Sequence, residues 1–383
     1  MPTSIEASSA ASTARPGWLA ALIASLRENS PLLILVAVAL TAADTLAASL
    51  GRPHRALDNI GATYYGYFVV CFACFACVLI VWILHVTLVR KVSVQTRGFW
   101  SLAFTEFLSR ERILLAVPVL AAWPIVVVSF TLTKTLIPAA VPFYLDPFLH
   151  AADRAIHFGR DPWTLLQPLL GHPLATYIID RLYALWLFVI YFAVLLQITS
   201  TKDRRLRLHF LASSMLAWML LGGVAAILLS SVGPCYYGKV FGPGDPYAPL
   251  LDYLRVTVPG TRLDILGFGF APDLMAVRVQ DMLWESYQQG DLGLGRGISA
   301  APSLHVASTW LVARMLQACG RRAAIAGWSF FGVILVGSVH LGWHYALDGY
   351  LSIAGAWMLW RLTGWLLDRP AVQSFLWPNL ARP

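Results

Sequence analysis

Charge is scarce in this chain. Only 13% of its 383 residues are Asp, Glu, Lys or Arg, about half the share in ordinary globular domains, while 58% are apolar. Mean hydropathy is +0.66. A soluble domain of this composition would have to hide several apolar runs of about 20 residues, the length one helix needs to cross roughly 30 Å of hydrocarbon. Acidic residues are the scarcer sign: 20 Asp and Glu against 28 Lys and Arg leave a formal charge of +8. The basic residues are scattered through short connections and line no groove interleaved with aromatics, so no nucleic-acid partner is expected. Cysteine is sparse as well, five in all. Cys71, Cys74 and Cys77 repeat inside an apolar run, where packing as small hydrophobes is the expected role. Cys235 and Cys319 fall on opposite faces of the topology below, so no disulfide framework is implied. A clear cleavage site is also lacking near the N-terminus, which reads as a disordered start over residues 1–30 followed by a retained helix.

What is present is a series of apolar runs. Residues 31–50, 64–89, 113–136, 174–198, 209–232, 303–318, 323–341 and 345–366 are each read as a spanning helix, eight in total. The sequence therefore predicts an all-α integral membrane protein. Loop charge orients it, because short cytoplasmic connections accumulate Lys and Arg. Arg90, Lys91, Arg97, Arg110 and Arg112 lie in the second connection, Lys202, Arg204, Arg205 and Arg207 in the fourth, and Arg321 and Arg322 in the sixth. These are assigned to the cytoplasmic side with both termini, including the tail 367–383. Arg52 and Arg55 in the first outer loop count against this assignment, more weakly. The odd-numbered connections then face outward, placing the functional face on the periplasmic or luminal side.

Two outer connections are too long to be plain linkers. Residues 137–173 carry apolar positions at helical spacing between Asp146 and Phe158, the pattern of interfacial helices lying along a membrane. Residues 233–302, rich in Gly, Pro and aromatics, read as an irregular cap with short helices.

Chemistry concentrates near the C-terminus. Ala300-Ala-Pro-Ser-Leu-His305 is followed by Gly337-Ser-Val-His-Leu-Gly-Trp-His344-Tyr-Ala-Leu-Asp348. His305 falls at the outer start of the sixth helix, His344 and Asp348 at that of the eighth. The spacing of four puts His344 and Asp348 on one helical face. A carboxylate that accepts one ring N–H of His344 leaves the other nitrogen free to attack, as in hydrolytic triads. His305 can then protonate a leaving oxygen and later deprotonate an acceptor. The start of the sixth helix, with the backbone N–H groups around Ser303, suits phosphate oxygens. His340 lies one turn before His344, a ligand spacing, yet no third ligand follows at a recognisable interval, and no metal or other cofactor is expected.

Pro302-Ser303-Leu304-His305 resembles the second motif, Pro-Ser-x-His, of the type 2 phosphatidate phosphatase superfamily, and His344 with Asp348 resembles the end of its third motif, His-x-x-x-Asp. Within it the chain is most similar to the inositol phosphorylceramide synthase-like branch. The resemblance implies a six-helix catalytic core, here residues 113–366, behind a two-helix addition with its cytoplasmic loop over 31–112. It further implies His344 as the nucleophile that forms a phosphohistidine, His305 as the acid, and Asp348 as the residue that activates the nucleophile. The superfamily's first motif, Lys, six residues, then Arg-Pro, finds no match, and Ser338 stands where an Arg precedes the nucleophile. The cationic clamp must therefore come from elsewhere. Lys239 and Arg296 are the candidates, with Arg255 and Arg262 behind them.

The expected function is that of a metal-independent phosphotransferase. It passes a phosphorylated headgroup from a donor lipid to a lipid alcohol. The alternatives are a lipid phosphate phosphatase, with water as acceptor, and a non-enzymatic lipid-binding or transport protein whose histidines sense pH or line a path.

Overall fold

The computed structural model describes residues 17–378 except Leu266, Leu292 and Leu294. The protein is an all-α integral membrane protein, with a single two-stranded hairpin among the described residues. The long helices are α1 (Trp18–Ser49), α2 (Ile60–Leu84, extended by a wider turn to Val89), α4 (Arg110–Ala140) and α9 (Arg204–Leu216, continuing to Leu228). A short helix α3 (Arg97–Phe107) precedes α4. Helices α7 (Pro173–Ala184) and α8 (Trp186–Ile198) form one bent rod. Among the described residues six rods, the last being α12 (Arg321–His340), are long and apolar enough to cross a membrane.

Two runs read as spans differ from these six. Helix α11 (Leu304–Gln317) has 14 residues, about 21 Å of rise. It is enclosed by its neighbours, with Val306 to Ala313 buried, and needs little lipid-facing surface of its own. Helix α13 (Ala346–Leu367) is long enough but carries Asp348, Ser352, Arg361 and Thr363 among its apolar residues. These are the helices that carry His305 and Asp348, with His344 just ahead of the second.

The start of the chain differs from the expectation too. Residues 1–16 lie outside the described residues, but α1 begins at Trp18, so the expected disordered stretch up to residue 30 is helical from there. The polar residues that break the apolar run are buried against other helices. Glu28 pairs with Arg204, which also pairs with Glu111, and the Asn29 amide donates to the Leu115 carbonyl at 3.0 Å. Arg207 is buried and donates to the carbonyls of Ile198 (3.3 Å) and Leu115 (3.2 Å). The starts of α1, α4 and α9 thus meet at one end of the bundle. The Arg205 guanidinium pairs there with Asp368, just past the end of α13. The motif residues, at the starts of α11 and α13, lie at the opposite end.

Between these ends the core is aromatic and aliphatic, with Trp123, Phe210, Trp218, Trp310 and Trp360 packed among Val, Leu and Ala. At the motif end lie α5 (Asp146–Ile156) and α6 (Pro162–Leu170), where an amphipathic platform was expected. The cap consists of short turns over residues 234–260, the hairpin β1 (Leu263–Ile265) and β2 (Phe268–Phe270), and α10 (Met275–Gln289). Asp180 holds the start of α10, accepting the N–H groups of Met275 (2.9 Å) and Ala276 (2.8 Å).

Candidate active site

Helix α11 begins where it does because Ser303 caps it, its hydroxyl accepting the Val306 N–H at 3.4 Å. Ser303 was expected among the phosphate ligands; its buried hydroxyl is engaged as this cap. His305, in the first turn, is partly buried. Its ring stacks on Tyr183 (centroids 5.1 Å apart) and lies against Trp186 (4.1 Å) and Trp343 (6.5 Å).

His344 reaches the same place from the turn between α12 and α13. That turn is wound tightly, with the N–H groups of Trp343 and His344 both donating to the Ser338 carbonyl, at 2.9 and 3.0 Å. It is pinned from the cap side by the Cys235 N–H, which donates to the Gly342 carbonyl at 2.9 Å. Gly233 must be glycine here: its φ is +93°, and a Cβ would meet the Trp343 carbonyl oxygen at 2.9 Å. The preceding Ser231 accepts the N–H groups of Ala300, through its carbonyl, and of Ala301, through its hydroxyl. One stretch of chain therefore ties both motif segments together.

The two histidines face each other, with His344 Nε2 3.4 Å from His305 Nδ1. His344 Nδ1 lies 2.9 Å from the carbonyl oxygen of Ala300 and 3.5 Å from Asp348 Oδ2. A carbonyl can only accept, so Nδ1 carries the ring proton and Nε2 is left with its lone pair toward His305. Sequence reasoning gave the accepting role to Asp348. The structure makes Ala300 the direct acceptor, with Asp348 at the edge of hydrogen-bond range. Asp348 is fully buried, accepts the Tyr345 N–H at 3.1 Å, and its Oδ1 has no hydrogen-bond partner among the described residues. It remains beside the imidazole as a buried carboxyl group.

The expected cations are occupied elsewhere. Lys239 lies over the rings of Trp284 (4.9 Å) and Tyr236 (5.7 Å), where burial lowers its pKa, and Arg296 pairs with Asp291 at 3.2 Å. Of the weaker candidates, Arg255 pairs with Asp281 at 2.8 Å. Sequence reasoning passed over Lys134, on α4, which lies close enough for its charge to act on His305. Gly297 packs directly on its backbone, since a Cβ there would meet the Lys134 carbonyl at 2.9 Å. A signal was available. Lys134, six residues, then Val141-Pro142 keeps the Lys and Pro of the superfamily's first motif with Val in place of Arg.

His340 is drawn away from the site. Its Nε2 meets the Thr176 hydroxyl at 2.9 Å, which in turn meets the Tyr253 hydroxyl at 2.7 Å. No three His, Cys, Asp or Glu residues cluster as a metal site among the described residues.

Fold and site together define a membrane protein whose two facing histidines, one backed by a buried carboxylate, sit at the starts of two packed helices. A family model for the PAP2 superfamily matches residues 147–364, more than half of the chain, and the protein belongs to that superfamily, whose members are typically phosphatases and phosphotransferases. No curated protein and no solved structure matches it.

Proposed function

We propose that this protein is a lipid phosphotransferase that carries a phosphorylated headgroup on His344 between a donor lipid and a lipid alcohol. The observation that carries this reading is the fixed tautomer of His344, with Nδ1 bonded to Ala300 and Nε2 directed at His305. Nε2 attacks phosphorus, an N–P bond forms, and the P–O bond to the donor's lipid alcohol breaks as His305, held protonated by the anionic donor phosphate beside it, gives that oxygen a proton. The rings must part to admit the phosphoryl group. In the second half His305 takes the proton of the acceptor hydroxyl, whose oxygen attacks phosphorus as the N–P bond breaks. Asp348 offsets the positive charge that His344 gains. No step calls on a metal ion. In this reading Lys134, whose charge acts on His305, serves the phosphate oxygens.

A lipid alcohol is favoured over water as acceptor by the surroundings. His344 is 5% exposed, and His305 is walled by Tyr183, Trp186 and Trp343. Transfer of this kind resembles that of the inositol phosphorylceramide synthase-like branch. The active site lies on the extracytoplasmic side in this reading, because the Arg-rich starts of α4 and α9 meet at the other end of the bundle.

The test is an acceptor competition with purified protein in vesicles containing a phospholipid labelled in its headgroup phosphate. Adding lipid alcohols, among them sphingoid ones, is expected to yield a new labelled phospholipid and to suppress release of label into water. Release that is unchanged by every alcohol would establish water as the acceptor and sink the transferase reading.

Lys134→Met should lower kcat/KM about tenfold to a hundredfold, the ~1.5–3 kcal/mol of a hydrogen bond to a charged group, with Lys134→Arg recovering part of it. Steady-state kinetics on the same vesicles measure this, and wild-type kcat/KM in Lys134→Met would remove it from the site.

A further inference from the structure

Helix α13, which follows His344 directly, is capped from within only at its N-cap N–H, that of Tyr345, which Asp348 accepts at 3.1 Å. Tyr345 holds the N-cap position and makes no side-chain cap hydrogen bond, where Ser, Thr, Asp or Asn would ordinarily serve. The first two N–H groups of the helix, those of Ala346 and Leu347, donate instead to Asp153 Oδ2 and Oδ1, both at 2.8 Å. Asp153 lies 193 residues earlier, on α5. It is 1% exposed, and its carboxylate has no ion pair among the described residues. Its neighbours are directed elsewhere: Arg154 pairs with Asp161 at 3.2 Å, and His157 bonds the Asp153 carbonyl and the Tyr350 hydroxyl.

Two turns earlier on the same face of α5, Asp146 is fully buried. It accepts the N–H groups of Val232 (2.9 Å) and Gly233 (2.7 Å) and the hydroxyl of Tyr345 (2.9 Å). Two buried carboxylates of one short helix therefore hold the segment after His344, Asp153 through two backbone N–H groups and Asp146 through the Tyr345 hydroxyl. Burial pushes the Asp153 carboxyl up to about 6, against the pull of its two N–H partners, and raises Asp146 in the same way. A Ser or Asp at position 345 would cap α13 without placing a distant acid in a buried site. What the distant acid adds is a rigid tie between α5 and the nucleophile's turn.

We infer that Asp153, seconded by Asp146, is a positioning residue for the phosphoryl-transfer step, holding residues 343–348 so that His344 stays aligned with His305. The inference rests on the phosphohistidine reading above. Neither acid touches His344. Asp153 fixes the first turn of α13, Asp348 in that turn receives the Tyr345 N–H, and His344 is bonded to Tyr345. Without Asp153 the N–H groups of Ala346, which is buried, and Leu347, which is partly so, lose their acceptors and the turn frays, which moves His344 relative to His305. A displacement of about 1 Å at reacting groups costs on the order of a hundredfold in rate.

The test uses full-length protein in vesicles, the labelled phospholipid donor, steady-state kinetics and trapping of label on His344. Asp153→Ala is expected to lower kcat about a hundredfold, with KM within about twofold of wild type, and to slow labelling of His344 in proportion. Asp153→Asn keeps one carbonyl oxygen for one of the two N–H groups and should fall between, at about a tenfold loss. If Asp153→Ala does not purify folded, Asp153→Asn decides by the same split. A folded variant with wild-type kcat, or with a raised KM alone, overturns the positioning role. Wild-type protein labelled on His344 alongside equally labelled variants sinks this inference and leaves the phosphohistidine reading standing, whereas wild-type protein that turns over without label removes both.

Discussion

Replacing His344 with Ala is expected to lower kcat by at least about a thousandfold, with the protein still folded and inserted in the membrane. The loss is that large because only one nitrogen in the site is both unprotonated and directed at the second histidine. Ala300 holds the proton on Nδ1 at 2.9 Å, which leaves Nε2 as the attacking atom. His344→Gln fills similar space and supplies no such lone pair, so it should be as inactive as the alanine variant. Comparable activity in wild type and both variants would mean that another group attacks phosphorus. Wild-type protein as inactive as the variants across a broad donor panel would instead favour a lipid-binding or transport role.

His305→Ala should show a loss that depends on the leaving group. An alkoxide leaving from a lipid phosphodiester needs a proton, and a positioned acid contributes about 10² to 10⁴ in rate. With such a donor kcat should fall by that factor. With an aryl phosphate donor, whose phenolate leaves unaided, the first half-reaction should lose less than about tenfold. Measuring rates of His344 labelling for both donors separates acid catalysis from simple disruption of the site. Equal losses for the two donors would show that His305 shapes the pocket and transfers no proton. The packing of its ring against Tyr183 and Trp186 makes that contrast informative, because removal of the ring also loosens those contacts.

The helices were readable in the sequence wherever a bilayer sets their length. The start of α1 was not, because Glu28 and Asn29 interrupt the apolar run and only the fold pairs them with Arg204 and the Leu115 carbonyl. Likewise α11 looked like a span by apolarity, although its 14 residues are shielded by other helices. In the site, His305, His344 and Asp348 were readable by type and spacing. The acceptor of the His344 proton was not, since a backbone carbonyl such as that of Ala300 leaves no mark in a sequence. Asp146 and Asp153 read as the polar side of an amphipathic helix, because their targets lie 86 to 199 residues away. Lys134 was hidden by one substitution, Val141 where Arg would have completed the motif. Lys239 and Arg296 were reasonable cations on the right side of the chain, but Trp284 and Asp291 engage them.

The central claim is that His344 carries the phosphoryl group, and it can be read directly. Wild-type protein mixed with a donor labelled in its phosphate, quenched in base, digested and mapped should yield one labelled peptide, with a phosphoramidate on His344 that is stable to base and released by acid. Label on any other residue, or turnover with no label trapped on His344, would contradict it.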